Sequence, residues 1–211
     1  MKKILTAVLV IASILLCQSP ADACTNLIVG KKASADGSVI CTYNCDGFGF
    51  AASLGFYRPG RHEKGEMIAI RQGWGPDAKI NYIPQVEYTY GVAGLVNEKQ
   101  VSIVETTWNG RKELRNPDGW LDYFTLMNLT LQRASSAREA IGIMHFLVQE
   151  YGYNSTGESF AVCDKDEAWI MELIGKGPGR KGAVWVAMRL PDDCITGYAN
   201  SSRIRQFPPG R

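Results

Sequence analysis

Hydrophobic and polar positions change period twice along this chain. From Cys24 to Gly30 apolar and polar residues alternate. A turn, Lys31 to Gly37, closes on Asp36-Gly37, and Ser38 to Asn44 alternates again, so the two runs predict a β-hairpin. Gly47 to Gly65 is rich in glycine and aromatic residues without a helical period and predicts an extended surface loop. Glu66 to Arg71 and Val86 to Ala93 predict strands on either side of a Gly-Trp-Gly-Pro loop. Asn97-Glu98-Lys99 then marks a turn before a further strand, Val101 to Thr107.

The period then lengthens. Behind Pro117-Asp118-Gly119, the leucines and Phe124 within Trp120 to Arg133 allow a helix. Ser136 followed by Glu139 is a capping box, a hydroxyl and a carboxylate satisfying the exposed amides of a helix start. Ala140, Ile141, Met144, Leu147, Val148 and Tyr151 continue it as one apolar face, which Gly152 ends. From Gly157 a period of two returns in Ser159 to Cys163, Ala168 to Leu173 and Ala183 to Arg189, with Ile195 to Asn200 as a fourth candidate strand. Strands, two helices and strands again predict an α+β architecture of two antiparallel sheets with helices packed outside.

The first residues follow another logic. Lys2 and Lys3 precede an apolar run, Ile4 to Leu16, of about 13 residues, shorter than the roughly 20 that cross a bilayer as a helix. Ala21-Asp22-Ala23 supplies a small-x-small cleavage pattern, so residues 1–23 are expected to be a signal peptide and the rest to be exported, periplasmic or extracellular, as one domain, 24–211, or most of one. Lipid attachment at Cys24 or Cys17 fits less well, because neither is preceded by the aliphatic and small residues that processing needs. No other stretch is long and apolar enough for a membrane span.

Without the leader the net charge is about +1, and no basic cluster points to nucleic acid. Cys24, Cys41, Cys45, Cys163 and Cys194 remain, an odd number for an oxidising compartment, so at least one thiol is free or bridges to another molecule. His62 and His145 are the only histidines and neither lies near Cys41 or Cys45, so no metal site is expected and no cofactor is implied; His145 reads as structural. Gly175 to Gly182 contains GKGPGRKG, which lacks the order of a phosphate-binding loop and reads as a basic hairpin loop. Glu158, Glu167 and Glu172 read as a solvated or salt-bridged face.

Scarce histidine disfavours a histidine-based triad, but one nucleophile needs none. A cysteine at a free N-terminus carries an α-amine of pKa about 8 that can take its thiol proton. Cys24 would become such a residue on cleavage after Ala23.

The run Cys24-Thr25-Asn26-Leu27-Ile28-Val29-Gly30, continuing through Lys31-Lys32-Ala33-Ser34 to Asp36-Gly37-Ser38, resembles the opening of bacterial cysteine dipeptidases of the dipeptidase A type. These are N-terminal-nucleophile hydrolases related to secernins and, more remotely, to penicillin V acylases and bile-salt hydrolases. The similarity continues through Ile83-Pro84-Gln85-Val86, Asn97-Glu98, Glu105-Thr106-Thr107, Gly157-Glu158-Ser159-Phe160, Trp169-Ile170-Met171-Glu172, Gly182 to Ala187 and Ala199-Asn200. It implies a four-layer αββα fold, dipeptide substrates and no metal. Cys24 would be the nucleophile, Asp46 would help hold it and its amine, and Asn200 would donate to the oxyanion; Glu105 and Thr106 would line the substrate pocket. Many relatives have arginine where this chain has Tyr43. Family members are more than twice as long, which implies that a C-terminal part completing the sheets is missing here. Two alternatives stay open: an amide hydrolase for acylated amino acids, and a non-catalytic, lipid-anchored envelope protein. A homo-oligomer is allowed by the sequence and not required by it.

Overall fold

The computed structural model describes residues 23–46, 54–72 and 76–206. Residues 1–22 of the expected leader, the first part of the Gly47–Gly65 loop, the Gly-Trp-Gly turn and the last five residues lie outside the described residues.

The predicted hairpin forms. β1 (Ala23–Val29) pairs antiparallel with β2 (Ile40–Asp46) from Ala23↔Asp46 to Val29↔Ile40. The strand expected over 38–44 is shifted to 40–46 because the side chain of Asp36 turns back on Ser38, taking both its amide and its hydroxyl. On the other edge of β1 lies β14 (Ile195–Tyr198), which completes a three-stranded sheet in the order β14-β1-β2. The fourth late strand therefore leaves its sequence neighbours and joins the N-terminal hairpin.

A second sheet has seven strands, in the order β13-β12-β11-β10-β9-β8-β3. Its centre is long: β10 (Ser102–Asn109), β11 (Gly157–Cys163), β12 (Ala168–Gly175) and β13 (Ala183–Arg189). Its other side is made of two-residue strands, β3 (Phe56–Tyr57), β8 (Val92–Ala93) and β9 (Val96–Asn97). The single strand expected over 86–93 is broken, with β7 (Tyr88–Thr89) pairing instead with β4 (Gly60–Arg61). β5 (Met67–Gln72) pairs with β6 (Lys79–Pro84), a strand the alternation did not reveal because Asn81 and Pro84 interrupt its apolar residues.

Helix α1 (Tyr123–Leu131) starts three residues later than expected, since Asp122 caps it by accepting the amide of Thr125 at 2.6 Å. Helix α2 (Ala137–Tyr151) begins at Ser136, whose hydroxyl accepts the amide of Glu139; the returning carboxylate takes the amide of Ser135 rather than that of Ser136. Gly152 stops the helix with φ +77°, a conformation that only glycine adopts cheaply, and packs on Gly119, whose Cα would stand 3.1 Å from an added Cβ.

Both helices cover one face of the seven-stranded sheet, burying Leu126, Leu131, Met144, Val148, Phe160 and Met171. The other face meets the three-stranded sheet through Ile28, Val104, Ala161, Ile170 and Tyr198. The class is α+β, with three layers among the described residues; Leu27, Ile40 and Ile195 stand exposed on the outer face of the small sheet.

Asn97 locks the turn into β10. Its Nδ2 donates to the carbonyls of Leu131 and Ala134, at 2.7 Å each, and its Oδ1 accepts the amides of Lys99 and Val101. Asn97→Ala strands buried backbone groups at the end of α1 and at the start of β10. The expected loss is about 3 kcal/mol, read as a fall in melting temperature of roughly 6–12 °C by calorimetry.

Candidate active site

Alternation along β1 points Cys24, Asn26 and Ile28 into the space between the sheets, while Thr25 and Leu27 face outward. Cys24 lies directly across from Cys45, and its own amide points away from β2, so the pair is the closely spaced, non-hydrogen-bonded kind. Their sulfurs are 3.6 Å apart, and both are free thiols.

The amide of Cys24 is held by Asn200, whose Oδ1 accepts it at 2.8 Å. The same side chain donates from Nδ2 to the carbonyl of Thr107 at 2.7 Å, which fixes the orientation of the amide and leaves one N–H of the NH2 group uncommitted. Thr106 donates its hydroxyl to the carbonyl of Ala199 at 3.0 Å. Further along, buried Glu172 takes the amides of Arg203 and Ile204 through Oε1. The segment after β14 is thereby pinned across β10 and β12, and Asn200 is carried to Cys24.

On the other side of the thiol lies an acidic cluster. Tyr43, on β2, donates its hydroxyl to Glu105 Oε1 at 2.8 Å and is near enough to Cys24 to favour its thiolate. Glu105 and Glu158 sit on adjacent strands, β10 and β11, and bond to each other. Thr107 donates to Glu158 Oε1 at 2.9 Å. Burial raises both carboxyls; the negative charge of Glu105 adds to the effect on Glu158, which is pushed up to about 10. Tyr43 and Tyr123 are pushed up by burial and by the same charge. For the Cys24 thiol, burial comes first and Glu105 second, and it is pushed up to about 12. With Ala23 still attached, its sulfur is a neutral thiol at physiological pH.

Of the residues singled out from sequence, the structure brings Cys24, Glu105 and Asn200 together. Thr106 faces the small sheet and tethers Ala199, one residue from Asn200, instead of pointing into the acidic cluster. Asp46 is not brought to the thiol: opposite Ala23 in register, it projects from the face of β2 away from Cys45, and its carboxylate takes the side-chain amide of Asn44. Pattern reading missed Cys45, whose pairing depends on register, and Glu158, whose sequence context is that of an ordinary strand.

The carboxylates grouped as a polar face have two fates. Glu167 is ion-paired to Arg138 and Arg189; Glu172 and Glu158 are buried and hydrogen-bonded. His145 accepts the indole N–H of Trp185 at 2.9 Å, the structural place expected for it. Among the described residues no group of histidine, cysteine and acidic side chains is arranged to hold a metal, and no helix is long and apolar enough to cross a membrane.

Comparison with known proteins gives a match to the model of peptidase family C69 over residues 23–61 and 68–210. A probable dipeptidase of Salmonella dublin is 32% identical over 208 residues, which cover 89% of this chain and 45% of that protein. Dipeptidase A of Lactobacillus helveticus is 31% identical, over 87% of this chain and 41% of its own length. A dipeptidase of Bifidobacterium longum is 26% identical, over 88% and 38%. The chain thus spans less than half the length of these relatives.

The site's electrostatics carry their own expectation. In protein that retains Ala23, alkylation of Cys24 by iodoacetamide at pH 8 runs at least about 100-fold slower than that of a free cysteine, because thiolate accumulates only as the pH nears the raised pKa. Glu105→Gln removes the repelling charge and speeds the reaction, as followed by peptide mass spectrometry at Cys24.

Proposed function

The chain belongs to peptidase family C69, and from that membership and the surroundings of Cys24 we propose that it is, or forms the N-terminal part of, an exported cysteine-type dipeptidase. The observation that carries the reading is the bond between the Cys24 amide and Asn200 Oδ1. A strand residue needs no side-chain acceptor brought from 176 positions away merely to pair its edge. An amine that must be held still beside its own thiol does.

In this reading residues 1–23 direct export, and cleavage after Ala23 turns the Cys24 peptide nitrogen into a primary amine. Asn200 Oδ1 keeps one of its N–H groups. The free amine takes the proton of its own thiol, directly or through water, and the sulfur attacks the carbonyl carbon of the substrate's peptide bond. The uncommitted N–H of Asn200 would serve the oxygen that becomes negative, a contribution commonly worth about 3 kcal/mol. The C–N bond then breaks, the leaving amine takes the proton from the α-ammonium, and a thioester remains. A water activated by the same amine cleaves the thioester and restores the thiol. The amine's positive charge in the attacking state also counters the field of Glu105, which otherwise holds the thiol neutral. The rest of the proposed αββα sandwich would cover Leu27, Ile40 and Ile195 on the outer face of the small sheet.

Two measurements test this. Mass spectrometry of exported protein should find unmodified Cys24 as the N-terminal residue, and an acylated or bridged cysteine there would sink the mechanism. Release of amino acids from dipeptides should fall by more than about 1,000-fold in Cys24→Ala.

A further inference from the structure

We propose that Glu105, backed by Glu158, is the subsite for the free α-ammonium group of the substrate's first residue, so that the site selects dipeptides with an unblocked amino terminus. The inference rests on the dipeptidase reading above and assigns that site its substrate-orienting charge.

Glu105 and Glu158 are 3% and 1% exposed. Each has one oxygen occupied by a neutral hydroxyl, Tyr43 on Glu105 and Thr107 on Glu158. Neither Oε2 has a donor from any other described side chain or amide. The two carboxyls reach each other, so the one donor available to them is a proton shared within the pair. Glu158, pushed up to about 10, keeps that proton, and Glu105 carries the single negative charge. The titratable side chains that feel the charge of the pair are thiols and phenols, Cys24 from β1, Tyr43 from β2, Tyr123 at the start of α1, Tyr153 after α2 and Tyr198 on β14, and the one base beside them is the α-amine of a processed Cys24. No lysine, arginine or histidine is among the groups that shift either carboxyl. A buried anion without a cation is a costly arrangement in a low-dielectric interior. Its retention beside a nucleophile is accounted for by a cation that arrives with the substrate.

The placement fits this cation. Tyr43, which shifts the Cys24 thiol, donates its hydroxyl to Glu105 Oε1, and the thiol itself feels the charge of Glu105. In a dipeptide the α-nitrogen and the carbonyl carbon under attack are bonded to the same Cα and stand only about 2.5 Å apart. A group that holds the ammonium must therefore be a close neighbour of the thiol, as Glu105 is. An ammonium brings three N–H donors to the bare carboxylate oxygens. A desamino or acylated substrate brings no charge and leaves Glu105 uncompensated.

The test is equilibrium binding to the chain beginning at Cys24 and carrying Cys24→Ser, by calorimetry, with alanyl-alanine and its desamino analogue propionyl-alanine. The dipeptide should bind at least about tenfold tighter, the scale of one charge-assisted hydrogen bond. Glu105→Gln should abolish this preference. Glu158→Gln, which replaces a protonated carboxyl with a neutral amide donor, should keep most of it. Equal binding of the two ligands, no binding of the dipeptide, or a preference that survives Glu105→Gln would overturn the proposal; the last result would assign Glu105 to the protein's own α-amine. Far-ultraviolet circular dichroism confirms that each variant is folded before it is scored. Failure of the dipeptidase reading looks different: the dipeptide is bound with its preference intact, yet the Cys24 chain does not hydrolyse it.

Discussion

Asn200 is the one side chain on which the arrangement of the candidate site depends. Its Oδ1 is spent on the first strand and its Nδ2 on the carbonyl of Thr107 in the second sheet. One amide therefore sets the distance between two sheets at the point where Cys24 stands. The tethers around it serve the same end: Thr106 holds the preceding carbonyl, and Glu172 holds the amides that follow. Backbone pairing alone could not do this, because β14 stops at Tyr198 and the chain is no longer in a ladder when it reaches Asn200.

The second constraint is electrostatic. The pocket beside Cys24 is built from acids and phenols that donate to one another, and the result is a shared proton and one negative charge. Such a pocket holds the thiol inert while Ala23 remains attached. An adjacent ammonium, whether from Cys24 itself or from a substrate, reverses that bias. In the proposed function, activation and recognition thus draw on the same unbalanced charge.

Much of this was legible in the chain and some was not. The hairpin of Cys24, the helix capped by Ser136 and the three late strands follow from local period and capping chemistry, which act within a few residues. Cys24 stood out because thiol count and histidine scarcity are properties of composition, and the resemblance added Asn200. What failed to show depends on distant partners. β14 alternates like its neighbours, and nothing local says it will cross to the other sheet. Asp46 and Cys45 are adjacent in sequence, and only the register with Ala23 and Cys24 decides which faces the thiol. Glu158 looked like a solvated acid because burial against Glu105 is set by the pairing of β10 with β11.

Ala23 and Cys24 are both strand residues, paired with Asp46 and Cys45 in the finished sheet. A processing enzyme grips its substrate as an extended segment whose main-chain groups are still unclaimed. Once β2 and Asn200 have claimed those groups, the Ala23–Cys24 bond is closed to it. In the proposed reading of residues 1–23 as a leader, its removal must then come early, while the hairpin is open, and a chain that folds first would keep its Cys24 nitrogen acylated. The order of two events in time, cutting and zipping, would decide whether a given molecule ever becomes active.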